Sequence, residues 1–305
     1  MNLRRVLAIL LLAFSGGIAA VSAASPGSPP NIVLILADDL GTAPVGVYGN
    51  SYYRTPAIDR LAREGSRFTD AYAACPVCSP TRSALMTGKY PARTHVTDFI
   101  AGGDFPFAQL KQPDWQKFLP LSEVTIAEEL SARGYATALF GKWHLARGYL
   151  PPQSVAEGPD RQGFQETFIT HKPKPSDNPE KDAHGVEAIT TRAIDFIQRH
   201  KERPFFLYLA HTMPHIAQYA SPAYAGKSKD GVFGDCVEEI DSSTGRILDL
   251  LRELKLDERT LVIFTSDNGA GIRSAKAKMD ELFPGRSMHG SNGPLRGGKG
   301  STFEG

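Results

Sequence analysis

The sequence predicts an α/β fold: a doubly wound, mostly parallel sheet with helices on both faces. Apolar runs of strand length alternate with segments of helical period, and the runs are continuous, as strands covered on both faces require. Four of the runs also stop at chemically active residues: Asp38-Asp39, Lys142 with His144, His211 with His215, and Asp267-Asn268. Ligands of open parallel sheets gather outside the carboxyl ends of the strands, so these groups are expected to meet at one edge.

In chain order, the first strand is the run Asn31 to Ala37, rich in branched residues. Thr55-Pro56 opens a helix with Ile58, Leu61 and Ala62 inward and Gly65 at its end. Ser79 and Pro80 open a second helix, with Ser79 as cap, Arg82 in the first turn, Leu85 and Met86 inward and Gly88 at the close. From Thr97 to Pro120 aromatic residues alternate irregularly with Gly and Pro, which predicts a loop. Thr125 and Glu128 form a capping-box pair for a helix from Ile126 to Arg133, and a strand follows from Tyr135 to Phe140. Residues 151–182 lack periodicity and predict a long surface loop, with His171 and His184 solvated. A helix from Val186 to His200, a strand from Phe205 to Ala210, a helix from about Phe233 to Leu254 and a strand from Leu261 to Thr265 complete the alternation. His95 and His289 read as surface residues.

The 305 residues allow one large domain or two ordinary ones, and a formal net charge of +1 without blocks of like charge argues against nucleic-acid capture. Residues 1–24 read as a signal peptide: Arg4 and Arg5, an apolar run from Val6 to Phe14, then small residues ending at Ala23. The run is too short to span a bilayer, and nothing later predicts a span. Cleavage near Ala23 or Ala24 would leave residues 25–30 as a flexible lead to a domain over 31–305. Of three cysteines, Cys236 shares a helical face with Ile240, Ile247 and Leu251, and Cys75 with Cys78 forms a C-x-x-C pair that a redox or zinc reading would also fit.

The stretch Cys78-Ser-Pro-Thr-Arg-Ser-Ala-Leu-Met-Thr-Gly88 resembles the signature of the type I sulfatases, arylsulfatase-like enzymes of the alkaline phosphatase superfamily. Four more segments resemble that family in the family's order: Leu36 to Gly41, Gly134 to Leu145, Phe264 to Gly269 and Gly298 to Gly305. The resemblance implies an alkaline phosphatase-like fold and hydrolysis of sulfate monoesters. It implies that a maturation enzyme oxidises Cys78 to formylglycine (3-oxoalanine), which then joins the metal site. By the same resemblance Arg82 would hold the formylglycine, while Lys142, His144, His215 and Lys299 would contact sulfate or the leaving oxygen. His215 is preferred to His211 for its distance from Phe233-Gly-Asp235, although Ala217 stands where the family usually has proline.

The carboxylates Asp38, Asp39 and Asp267 would repel by roughly 4 kcal/mol per pair at about 4 Å and an effective dielectric of 20, so either a cation is present or their pKa values rise. Oxygen donors with the Asn268 amide favour a hard ion over zinc; the resemblance implies calcium, with magnesium the alternative. The aldehyde has a chemical rationale. Its hydrate offers two hydroxyls on one carbon, one to attack sulfur and one to expel sulfate by re-forming the carbonyl. Lys299 and one histidine are assigned to the leaving oxygen, and loss of any one such group is expected to lower kcat about a hundredfold.

Family members continue beyond the motif in which this chain ends, with a further strand and a small C-terminal domain, so an incomplete domain, an exposed sheet edge and poor stability are expected. A polar residue that often helps bind sulfate has no clear counterpart between Gly163 and Asp182. Two other readings compete: a phosphonate or phosphate monoester hydrolase of the same superfamily, and a non-catalytic chain that binds sulfated glycans. The expected location is secreted or periplasmic.

Overall fold

The computed structural model describes residues 29–103, 106, 108–147, 156–171, 184–229, 231–271 and 290–305. The expected signal peptide, most of the expected lead, Phe105, Phe107 and His289 lie outside these residues. β1 (Asn31–Asp38), β2 (Ala136–Gly141), β3 (Glu166–Ile169), β4 (Phe205–Pro214) and β5 (Thr260–Ser266) form one sheet in the order β3-β2-β4-β1-β5. Every pairing is parallel.

Alternate residues of the central strands feed two cores, which is why the runs are apolar throughout. Val33, Ile35, Leu207 and Leu209 pack with Ile189, Phe196 and Ile197 of α5 (Val186–His200) and Ile247 and Leu251 of α6 (Gly231–Glu253). Leu34, Leu36, Phe206 and Tyr208 face the other way, onto Met86 of α2 (Cys78–Thr87) and Ala127 of α4 (Ile126–Ala132). The two layers confirm the doubly wound arrangement. Two shorter helices, α1 (Pro56–Glu64) and α3 (Pro91–Thr94), lie outside the sheet, and the Asp241 carboxylate of α6 accepts the Ala57 and Ile58 N–H groups at the start of α1.

The capping box forms as expected, with Thr125 accepting from the Glu128 N–H and Glu128 accepting from the Thr125 N–H. The expected cap of α2 does not. Helix α2 begins at Cys78 itself, after Val77, and the Ser79 hydroxyl accepts the Ile100 N–H at 3.0 Å instead. Pro80 still falls in the first turn, where a missing N–H costs nothing. Leu85 is only half-buried, and Met86 carries the packing.

Within the expected loop 151–182 the structure contains β3, a four-residue edge strand with every residue half-buried. So short a strand, only partly covered where Phe168 packs on one core and Ile169 on the other, leaves no apolar run to detect. His184 is likewise not solvated but 1% exposed. On the far edge, Leu261 and Ile263 of β5 are exposed at 53% and 40%.

Gly141 ends β2 at φ +117°, and a Cβ there would lie 1.8 Å from the Ala210 carbonyl oxygen. That contact is backbone on backbone, and the Lys142 N–H donates to the same oxygen at 2.8 Å. Gly141→Ala is therefore expected to destabilise the chain by more than about 3 kcal/mol in urea unfolding, and an unchanged midpoint would contradict the close approach.

Candidate functional site

A bulge decides which residues reach the sheet edge. Leu36 of β1 pairs with Ala210 of β4, but Asp38 pairs with Pro214, so four steps on β4 face two on β1. The extra length places His215 immediately after the residue level with Asp38, while His211 stays inside at 0% exposure. Neither ring nitrogen of His211 has a hydrogen-bond partner among the described residues. Asp39 and His144 follow their strands in the left-handed region, at φ 64° and 58°. Such conformations are strained for residues with a side chain and concentrate at functional sites.

Five chain segments converge on Cys78. One cluster comprises Asp38, Cys78 and Asp267, whose candidate ligand atoms all lie within 4.8 Å of one another; a second comprises Asp39, Cys78 and His215, equally close. Arg82, wholly buried, donates to Asp267 Oδ2 from Nη2 at 2.7 Å and from Nε at 3.1 Å. Its Nη2 also lies 3.6 Å from Asp38 Oδ1, and Nη1 donates to the Lys142 carbonyl at 3.1 Å. The Lys142 ammonium sits 2.7 Å from Asp38 Oδ2, and the Lys299 ammonium 2.7 Å from Asp39 Oδ2. His215 Nε2 stands 3.7 Å from the same Asp39 oxygen. The Asn268 amide donates to Asp39 Oδ1 at 2.7 Å, and the Asp39 N–H donates to Asp267 Oδ1 at 3.1 Å.

Carbonyl acceptors assign the histidine tautomers. His144 Nε2 lies 2.5 Å from the Ile100 carbonyl, which can only accept, so Nε2 carries the proton. By the same reasoning His215 Nδ1 donates to the Ile216 carbonyl at 2.5 Å, leaving Nε2 as an acceptor on the side of Asp39. Burial, reinforced by Lys299, pushes His215 down to about 4, so it is neutral near pH 7.

Burial also pushes the Cys78 thiol up to about 12, which leaves it uncharged near neutrality. Against the effect of burial, Lys142, His215, Arg82 and Lys299 hold the Asp38 carboxyl well below the usual range. Burial and then the Asp38 charge raise Asp267. Burial opposes the Lys299 charge, but Asp39, Cys78 and Asp38 raise its pKa.

The residues fit a hard cation. Asp38 Oδ1 and Asn268 Oδ1 are buried oxygens without a hydrogen-bond partner, and a carboxylate and an amide oxygen are donors suited to calcium or magnesium. Arg82, Lys142 and Lys299 formally balance Asp38, Asp39 and Asp267. A divalent ion added to that set would leave the pocket positive and able to hold an anionic ester.

Several supporting residues carried no sequence signal of their own. Ser266 Oγ accepts the Leu40 and Gly41 N–H groups and donates to the Asn268 carbonyl, which ties the ends of β1 and β5 together. Asn292 accepts the Ala270 N–H at 2.9 Å and donates to the Gly297 carbonyl at 3.0 Å. It braces the segment carrying Lys299, whose own N–H donates to the Ala270 carbonyl. Tyr208 places its hydroxyl 3.4 Å from Arg82 Nη1. Ser266 lies within the Phe264 to Gly269 segment and Tyr208 within an apolar run, but neither pattern states these roles, which follow from contacts distant in sequence.

Two further buried histidines bear on stability. Burial pushes His184 down to about 3 and His211 down to about 4, against about 6.5 in the unfolded chain. Both are neutral when folded, so their stabilising contribution is complete above pH 6.5 and is lost as pH falls towards 4. Each is expected to remove about 1.4 kcal/mol per pH unit in that window. Urea midpoints that do not fall between pH 7 and 5, or a His211→Phe variant that falls as steeply as the parent, would contradict this.

A family model described as Sulfatase matches residues 30–305. N-acetylgalactosamine-6-sulfatase of Canis lupus familiaris is 36% identical over 330 residues, covering 97% of this chain and 58% of that protein. Steryl-sulfatase of Mus musculus is 33% identical over 361 residues, covering 91% of this chain and 56% of that protein. The chain thus spans little more than half the length of these relatives. Among solved structures, the PsFucS1 sulfatase from Pseudoalteromonas sp. superposes with a TM-score of 0.71 at 28% identity, over 92% of this chain and 60% of that one. The phosphonate monoester hydrolase of Agrobacterium radiobacter shares the fold, with a TM-score of 0.60 at 17% identity over 90% of this chain and 66% of that one.

Proposed function

Because the chain belongs to the sulfatase family, we propose that it hydrolyses sulfate monoesters in the pocket around Cys78. In this reading Cys78 is converted to formylglycine, and Asp38, Asp39, Asp267 and Asn268 hold a calcium ion, with magnesium the alternative. One observation carries the proposal: the Cys78 sulfur lies within 4.8 Å of carboxylate oxygens arriving from β1 and β5. A thiol buried for packing alone does not need three carboxylates, an arginine and two lysines around it.

When bound, the cation neutralises sulfate oxygens and makes an adjacent hydroxyl more acidic, and the converted side chain supplies that hydroxyl. The chain's own residues do the rest. Arg82 fixes Asp267 and, through the Lys142 carbonyl, the segment carrying Lys142 and His144. Lys142 and Lys299 supply fixed positive charge on the two sides of Cys78, where an ester's anionic oxygens would lie. His215 Nε2 is placed to accept a proton in the ground state and to return it to a leaving oxygen. Export through the segment 1–24 to a secreted or periplasmic location, and maturation by a formylglycine-generating enzyme, belong to the same proposal.

The test compares turnover of nitrophenyl sulfate, nitrophenyl phosphate and a nitrophenyl phosphonate ester, together with the mass of the peptide containing Cys78. Sulfate turnover above the other two, on protein carrying the aldehyde mass, is expected. Faster phosphonate turnover would reverse the substrate assignment, and a purely cysteine mass in a fully active protein would refute the nucleophile.

A further inference from the structure

His184 makes two hydrogen bonds that bracket the segment carrying His215. Its Nδ1 lies 2.7 Å from the Thr212 hydroxyl and its Nε2 lies 2.7 Å from the Ala217 carbonyl. Residues 212 and 217 stand on either side of His215, one at the end of β4 and the other in the loop beyond it. The Gln218 amide adds a bond to the Pro214 carbonyl at 2.9 Å, so the turn is held at several points. Because the Ala217 carbonyl can only accept, Nε2 carries the proton; the one Thr212 hydroxyl proton has two acceptors, Nδ1 at 2.7 Å and the His184 carbonyl at 3.3 Å, and in the neutral ring the nearer Nδ1 takes it. A buried imidazole with both nitrogens satisfied has one orientation and one tautomer.

The position matters because β4 has already departed from regular pairing there. Among the described residues the pairing of β4 ends at Pro214, so no ladder fixes the register beyond it. His184 sits two residues before α5, which packs under the sheet through Ile189, Phe196 and Ile197, so the imidazole ties the loop after β4 to a helix anchored in the core. The later part of this loop has ties of its own: Glu239 accepts the Ser221 N–H, and Asp235 accepts the Gly226, Lys227 and Ser228 N–H groups. Ala217 itself is 1% exposed, which leaves its carbonyl no solvent to bond if the imidazole is removed.

We infer that His184 is a positioning residue: as the neutral Nε2–H tautomer it clamps Thr212 to Ala217 and so fixes His215 against Asp39. The inference rests on the assignment of His215 to the sulfatase reaction for its kinetic consequence, but the clamp itself does not.

The test uses the full chain with His184→Phe, which removes both bonds while keeping a ring, and His184→Gln, whose amide can donate to Ala217 and accept from Thr212. Hydrogen exchange of the peptide spanning 212–220 is expected to accelerate about tenfold or more in His184→Phe and to stay near the parent in His184→Gln, with α6 unchanged. On nitrophenyl sulfate, kcat of His184→Phe is expected to fall about ten- to a hundredfold with KM shifting by less than about threefold, and His184→Gln is expected to recover most of it. Unchanged exchange in a folded His184→Phe would overturn the clamp. Faster exchange with unchanged kcat would overturn the positioning role. Should neither variant fold, nitrogen NMR of the unsubstituted protein decides: a neutral Nε2–H imidazole through pH 5 supports the clamp, and an imidazole titrating near 6.5 overturns it. A parent protein inactive on sulfate esters would count against the proposed reaction, while the exchange measurement would still decide the clamp.

Discussion

Cys78→Ala is expected to abolish turnover of sulfate esters, by about 10⁴-fold or more in kcat, while leaving the folded state nearly intact. The side chain is 2% exposed at the first residue of α2, so its loss removes one sulfur from a polar pocket and shortens no apolar layer. Stability and activity should therefore separate, with a change of about 1 kcal/mol or less in urea unfolding against near-complete inactivation. Parallel assay and unfolding of the same preparation checks this. Residual turnover within tenfold of the parent would remove Cys78 from the reaction and with it the proposed function.

Arg82→Met should behave in the opposite way, as a large effect on stability first. Arg82 is wholly buried and lies between Asp267 Oδ2 at 2.7 Å and Asp38 Oδ1 at 3.6 Å. Removing one partner of a buried pair leaves uncompensated charge, a cost of about 3–5 kcal/mol. The same carboxylates are the candidate cation ligands, so the deficit should shrink when calcium is added. A cation at about a hundred times its dissociation constant stabilises by about 2.7 kcal/mol. Unfolding of parent and variant with calcium and with a chelator tests both halves. A variant as stable as the parent in chelator would refute the charge argument, and a deficit indifferent to calcium and magnesium would refute the ion site.

The comparison of these two residues shows how the pocket works. Cys78 is surrounded by groups whose charges balance one another, and the proposed reacting position can change while the frame stands. Arg82 belongs to the frame, because it joins β5 through Asp267 to the end of β2 through the Lys142 carbonyl. Lys299 is less embedded, at 23% side-chain exposure, and forms its ion pair with Asp39. Its loss should fall on rate more than on fold.

Much of this was legible in the sequence, for identifiable reasons. A parallel strand covered on both faces must be apolar at every position, so Asn31 to Ala37 and Phe205 to Ala210 announce themselves. The Thr125–Glu128 box is a local pattern and formed as read. Asp38, Asp39, Lys142, Asp267 and Asn268 were found because they follow such runs, and the sheet's parallel order brings run ends together. β3 was missed because four half-buried residues at a sheet edge carry no such signal.

Sequence by itself thus determined the strand-helix alternation, the edge of the sheet where the candidate site residues gather and the cysteine motif, since each is encoded in residues near one another along the chain. Tertiary structure alone decided that helix α2 starts at Cys78, that the bulge opposite Asp38 carries His215 to the edge and buries His211, and that His184 is an anchor within the core. These depend on register and on hydrogen bonds between distant segments, and no local pattern of residue types records which carbonyl a buried imidazole will meet.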